Sequence, residues 1–242
     1  MNDRIWLNIF LVVVAVFLLS ACQMVRGSGD MVTETREISN FDNVALRGSG
    51  EVVIVQSGEE SLVIETDDNI LQYITSEVSG GTLILGFEPG TSNISPTELI
   101  FTVGVDDLVG ASVDGSGDIS ARSLETDSLD VDIGGSGNIK IDNLTAEELA
   151  IVIDGSGDVQ LAGEVEQQSI DIGGSGEYSA GNLRSDSATV TIGGSADAIV
   201  WAMKTLDVDI SGSGSVDYYG SPRISSSQPG SGSLNSMGEK EG

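Results

Sequence analysis

A short glycine-serine motif recurs along the second half of this 242-residue chain, and its spacing restricts the fold more than any other feature. It begins at Gly115, Gly135, Gly155, Gly174, Gly194 and Gly212, at intervals of 20, 20, 19, 20 and 18 residues. Two positions before each first glycine stand Val113, Ile133, Ile153, Ile172, Ile192 and Ile210, all β-branched, and polar residues fill the alternate positions, as in Asp130-Val131-Asp132-Ile133. A period of two with β-branched residues is that of a strand burying one face. Helical repeats need apolar residues at three-and-four spacing, and a propeller blade takes ~40 residues. A unit of about twenty residues with a glycine corner instead fits one coil of a parallel β-solenoid. The expected fold is therefore all-β, a parallel β-helix, right-handed because parallel crossovers almost always are. A single coil cannot bury its own inward face, so stability accumulates over coil interfaces.

The corner glycines answer either a positive φ or a close approach of the neighbouring coil. Ala196 replaces the second glycine in one corner, and alanine at positive φ is strained, so close approach is the expected reason there. The stacked serines from Ser116 to Ser213 either form a hydroxyl ladder or are simply small, polar corner residues.

Phe41 to Asp106 is β-rich but out of phase, since Gly48-Ser49-Gly50 lies 67 residues before Gly115. It is expected to be a different kind of β unit that caps or extends the column within one continuous elongated domain. Hairpins are expected around Gln56-Ser57-Gly58-Glu59-Glu60 and around Ser79-Gly80-Gly81. Residues 22–38 are polar, contain Gly27-Ser28-Gly29-Asp30, and read as a flexible tether. The resulting layout is a signal segment over 1–21, the tether over 22–38, an N-terminal β segment over 39–106, solenoid repeats over 107–235 with a closing coil at Gly230-Ser231-Gly232, and a loose tail over 236–242.

The signal segment is the apolar run Ile5 to Leu19, shorter than a membrane span and ending in Leu19-Ser20-Ala21-Cys22. That ending resembles a bacterial lipobox, in which Cys22 becomes the lipid-modified N-terminus of the mature protein. The expected location is the bacterial cell envelope, facing outward on a membrane, the outer one if the host has it. The chain holds one cysteine and no histidine, which excludes disulfides, Ser-His-Asp and Cys-His nucleophile systems and His-ligated zinc. Ten Lys and Arg against 38 Asp and Glu give a net charge of −28, so nucleic acid is excluded as a partner.

Asp118, Asn138, Asp158, Glu177 and Asp197 follow successive corners as a line of oxygen donors, which makes calcium a candidate ligand. The β-roll calcium repeat is missed by one residue, however, and a solvated acidic face accounts for the same pattern. Carboxylate pairs such as Asp132 with Asp171, or Asp207 with Asp209, leave a polysaccharide-cleaving enzyme as an alternative, although repetition alone creates such pairs. Trp201, Tyr218 and Tyr219 are candidates for a sugar-stacking platform or for a closing apolar cluster. Recognition is expected on the flat faces and on loops such as Leu124 to Ser128 and Gly163 to Gln168, where the repeat is least regular.

Phe41-Asp42-Asn43-Val44, Gly48-Ser49-Gly50, Gly81-Thr82-Leu83-Ile84-Leu85 and the recurrent corners together resemble the head GIN domain family of auto-transporter adhesins, over about residues 38–235. The resemblance implies an exported β-helical protein, brings no catalytic residues, and rests on glycine and β-branched patterns. The expected function is a non-catalytic binding, adhesion or structural module, anchored to a membrane by lipid and meeting a cell-surface glycan or protein.

Overall fold

The computed structural model describes residues 24–91 and 93–240. The lower part of the molecule comprises β1 (Val25–Arg26), β2 (Met31–Arg36), β3 (Asn43–Gly48), β4 (Glu51–Gln56), β5 (Ser61–Asp67), β6 (Ile74–Ser79), β7 (Thr82–Phe87), β8 (Ile94–Ser95) and β9 (Leu99–Val105). The array above it comprises β10 (Gly110–Gly115), β11 (Asp118–Ala121), β12 (Leu124–Ile133), β13 (Ile139–Ile153), β14 (Val159–Ile172), β15 (Glu177–Ile192), β16 (Asp197–Ile210), β17 (Ser215–Tyr219), β18 (Arg223–Ser227) and β19 (Ser233–Gly238). All but β1 and β8, which pair with each other, belong to one continuous sheet.

The array is the expected β-solenoid. Its strands pair in parallel with the coils below and above, so that Val131, Ile151, Ile170, Val190 and Val208 stand in a single vertical row. In β13 the alternation of buried and exposed residues is broken twice, at Asp142-Asn143 and at Glu147-Glu148, where two exposed residues follow each other. A strand can show two outward residues in succession only where the chain turns. Each coil is therefore three straight runs separated by the glycine corner and these two bends. The six β-branched residues preceding the glycines are all buried, and each contributes about 1.5–3 kcal/mol relative to exposure.

At the glycine corner the coils are joined through backbone. The Ser136, Ser156, Ser175, Ser195 and Ser213 N–H groups each donate to the first glycine of the preceding corner, at 2.7–3.0 Å. The serine hydroxyls point to solvent and form no ladder; the hydrogen-bonded column runs through the main chain instead. The second glycines support close approach as their reason. A Cβ on Gly137 or Gly157 would stand 1.8 Å from the carbonyl oxygen of the glycine one coil below, and neither residue has a positive φ.

Three expectations about the flanks are corrected. First, Gly48-Ser49-Gly50 is a corner of the same column: β3 pairs in parallel with β10, placing Gly48 opposite Gly115, and β4 pairs with β11. The 67-residue interval arises because the chain leaves after β4, builds the level beneath with β7 and β9, which pair in parallel with β3 and β4, and returns at β10. Register is kept in space while phase is lost in sequence. For the same reason β4 and β5 form no hairpin: β9 lies between them, parallel to β4 and antiparallel to β5. The second expected hairpin is present as antiparallel β6 and β7, with Gly80 and Gly81 at φ of 61° and 84° in its turn.

Second, the segment expected to be a tether is paired. β2 runs antiparallel to β5, and β1 pairs with β8. Asp67, fully buried, accepts the N–H groups of Gly29 and Thr97 at 2.7 Å each. Gly27 lies so close that a Cβ there would be 2.2 Å from the Asp67 carboxylate. The glycines that read as flexibility are the space around a buried acid. Third, the tail is not loose through Lys240: β19 extends to Gly238 and pairs with β17, while the expected closing corner is confirmed by the Ser231 N–H donating to Gly212.

Candidate functional site

The bend at Asp127 builds a long concavity along the array. In the pairing of β12 with β13, Thr126 is matched to Ala146 and Ser128 to Glu148, while the residue between them drops out of the ladder. The same omission recurs in the next two coils. Asp127, Glu147, Glu166 and Asp186 consequently stack outward at the bend, about 4.8 Å apart per coil. One residue pair earlier, Glu125, Thr145, Glu164 and Arg184 form a second vertical row. Between these rows Thr126, Ala146, Val165 and Ser185 turn inward and are buried.

The result is a longitudinal groove of about 980 Å³, closed at its lower end by Gln56, Asp106 and Asp107. Gln56 is a clamp between lower part and array: its side-chain amide donates to the Glu125 carbonyl at 2.8 Å and its Oε1 accepts the Glu125 N–H at 2.9 Å. Arg184 is the groove's one cation and pairs with Glu164, while Lys204 pairs with Asp186 at 2.6 Å. The groove's field is strongly negative, and its walls are exposed side chains on rigid strands. Leu124 to Ser128 and Gly163 to Gln168 are continuous strand, not loops, and residues of both line this groove. The bend was not expected from the sequence; the signal that could have found it is the adjacent polar pair, such as Glu147-Glu148, that breaks a period of two.

Behind the groove lies a polar chain within the core. Tyr178 Oη donates to Gln168 Oε1, Gln168 Nε2 donates to Ser185 Oγ, and Ser185 Oγ donates to the Trp201 carbonyl, each at 2.8 Å. Burial pushes the Tyr178 phenol well above its ordinary pKa. This chain satisfies polar groups that would otherwise weaken the core; no sequence signal pointed to it.

The structure brings the calcium candidates into line and gives their oxygens another partner. Asp118 Oδ1 accepts the Asn138 N–H at 2.9 Å, Asn138 Oδ1 accepts the Asp158 N–H at 3.0 Å, and Asp158 Oδ1 accepts the Glu177 N–H at 2.9 Å. Asp197 likewise accepts from the Ser215 N–H at 3.0 Å. Asp118, Asn138, Asp158 and Asp197 thus each satisfy a backbone donor of the next coil beside the glycine corner, while the Glu177 carboxylate accepts from the Ser179 hydroxyl on its own strand. Among the described residues no three His, Cys, Asp or Glu residues converge as a metal site. Cys22 lies outside the described residues.

Asp132 and Asp171 occupy one vertical row with Val152 between them, roughly 10 Å apart over two coil spacings. Partial burial, with the charges of Asp154 and Asp114, raises the Asp132 carboxyl above its ordinary pKa. Neither residue lines the groove. Asp207 and Asp209 flank the buried Val208 on the outer surface of β16. The aromatic candidates adjoin one another, since Trp201 is matched to Tyr219 across β16 and β17.

Known proteins share this column of stacked parallel coils. Residues 40–222 match the family described as "Putative auto-transporter adhesin, head GIN domain". The chain belongs to that family. It is similar to the crystal structure of a "putative adhesin" from Bacteroides fragilis, with TM-score 0.83 and 29% identity, covering 88% of this chain and 100% of that one. A "putative lipid binding protein" from Parabacteroides distasonis is similar with TM-score 0.71 and 27% identity, over 89% of this chain and all of that one. A "putative adhesin" from Parabacteroides merdae shares the fold at TM-score 0.67 and 21% identity, over 88% and 99% of the two chains. No curated protein matches the chain. These relatives support a non-catalytic binding module at the cell surface or envelope. No helix among the described residues is long and apolar enough to cross a membrane.

Proposed function

We propose that this protein is a lipid-anchored recognition column of the bacterial envelope, fixed at Cys22 and presenting the longitudinal groove to a surface glycan or protein segment. The observation that carries the reading is the groove itself: about 980 Å³ of continuous concavity crossing successive rigid coils, in a family of adhesins. Its carboxylates disfavour polyanions and suit neutral or basic partners. Lipid on Cys22 would hold the protein stably where a single short chain would not. Only Gln23 separates that cysteine from Met24, and Val25 is already paired with Ile94. The anchor therefore brings the lower end of the column against the headgroups, without the roughly 20–25 Å of slack that a free 16-residue tether would give.

Two measurements test this. Metabolic labelling with an alkyne fatty acid should mark the wild-type protein in the membrane fraction and leave Cys22→Ser unlabelled; an unlabelled wild type would defeat the anchor. Screening the protein against surface glycans and envelope proteins, in parallel with a Glu125→Lys, Glu147→Lys, Glu166→Lys triple variant, should give a partner whose binding falls at least tenfold in the variant. Equal binding by both would remove the groove from the reading.

A further inference from the structure

Trp201 and Tyr219 are neighbours across β16 and β17 at the upper corner of the column. A chain segment crosses this corner after β19. The Gly220 N–H donates to the Gly238 carbonyl at 3.0 Å, Gly238 takes φ of 86°, and the Lys240 side chain turns down across three levels of the column. Its Nζ donates to the Gly181 carbonyl at 2.6 Å and to Asn182 Oδ1 at 2.5 Å. The same nitrogen lies 4.8 Å from the Tyr219 ring centroid and 5.5 Å from that of Trp201. Two aromatic faces and two oxygen acceptors surround one ammonium group.

The surroundings are built for this approach. Trp201 is buried and its Nε1 has no hydrogen-bond partner, so its ring is held by packing. A Cβ on Gly181 would come within 3.0 Å of Ile199 and 3.2 Å of Tyr219; glycine there lets the carbonyl stand at the edge of the ring. Beside the lysine is a cavity of about 270 Å³, whose walls include Gln160, Ser179, Asn182 and Tyr219. Lys140, the other cation on that wall, is neutralised by Asp142 at 3.1 Å.

We propose that the Trp201, Tyr219, Gly181 and Asn182 corner is a binding site for a primary organic ammonium, and that Lys240 of this chain is its resident ligand. Cation–π attraction to two rings supplies the charge recognition. The two oxygens select a primary ammonium, which has three donors, over a quaternary one, which has none. With both rings engaged by Lys240, this corner offers no free sugar-stacking platform. An external ammonium must displace a group tethered a few residues away, whose effective concentration is in the millimolar range or above. The site is thus closed in the resting molecule and open to small amines once the Lys240 charge is removed.

Full-length protein carrying Trp6→Phe leaves Trp201 as the one tryptophan of the chain, so its emission reports on this corner. In a Lys240→Ala background, n-butylammonium should change Trp201 emission saturably in the millimolar range. The protein with Lys240 intact should need at least about tenfold more, and tetramethylammonium should be the weaker ligand of the variant. Adding Tyr219→Leu should abolish the response. Lys240→Met, which keeps an apolar stem without the charge, provides a second opened form if the alanine variant is unstable. Emission of both opened variants that is indifferent to n-butylammonium, or a response equal to that of the Lys240 protein, would overturn the proposal.

Discussion

The array and the level beneath it belong to one sheet but are held together in different ways. In the array every coil repeats the one below, so a residue's partner is about twenty positions away and chemically similar. In the lower part, parallel and antiparallel pairs alternate, partners come from distant segments, and a buried carboxylate organises the first strand. Repetition makes the array tolerant of outward change and sensitive to added bulk between coils, where Ala196 alone among the second corner positions carries a side chain. The lower part depends instead on a few unrepeated contacts.

The sharpest way to break that contrast is to add one methyl group at two neighbouring kinds of glycine. At Gly157 a Cβ would lie 1.8 Å from the Gly137 carbonyl oxygen, whereas at Gly134 the nearest atom is an Asp114 carboxylate oxygen at 3.7 Å. Gly157→Ala should destabilise by about 3 kcal/mol or more through forced separation of coils, and Gly134→Ala should stay within about 0.5 kcal/mol. Urea denaturation followed by circular dichroism measures both. Equal effects would mean that coil spacing does not limit side-chain size at the corners.

Next in size is the polar chain in the core. Tyr178→Phe removes the donor to Gln168 and leaves a buried amide oxygen unsatisfied, costing about 1–3 kcal/mol. Because burial raises the Tyr178 phenol above its ordinary value, the sign of its pH dependence is fixed: its contribution is fully present below the unfolded pKa of about 10 and falls as pH rises above it. Wild-type protein should therefore lose stability between pH 10 and 12 more steeply than Tyr178→Phe, in thermal melts across that range.

The array's inward positions were legible because period two and period twenty are both local regularities. Val113, Ile133 and Ile153 could be assigned from spacing alone, and all three are buried. The first corner was not legible as such, because an excursion between β4 and β10 hides a register that exists only in three dimensions. The role of Gly27 was hidden for a related reason: its neighbour Asp67 is 40 residues away, and sequence composition cannot distinguish a glycine that gives freedom from one that gives room. Of the groove, the carboxylates were visible but not their alignment, which depends on a bend repeated at the same height in each coil.

Asp67 offers a more local test of the lower part. Burial works to raise its carboxyl, but hydrogen bonds from Thr97 and Gly29 together hold the pKa below the ordinary carboxylate value. A lowered folded pKa contributes stability above the unfolded value of about 3.9 and loses it as pH falls through the folded one. Acidification should therefore release Val25 to Arg36 while the array stays paired. Hydrogen exchange read by mass spectrometry should show protection of that segment declining below about pH 4, with Ile139 to Ile210 unaffected. Simultaneous loss in both regions would show that the first strands and the array unfold as one unit.

The smallest effect belongs to the groove wall. Arg184 and Glu164 pair across two coils, yet both side chains are substantially exposed, and water screens such pairs to about 0–1 kcal/mol. Arg184→Gln should shift stability by no more than about 0.5 kcal/mol in urea denaturation, while removing the groove's one cation. A larger loss would show that the outward columns are part of the mechanical framework, joining coils as the backbone corners do. A small one leaves the groove's charge free to vary without cost to the column, which is the condition a recognition surface on a repeating scaffold requires.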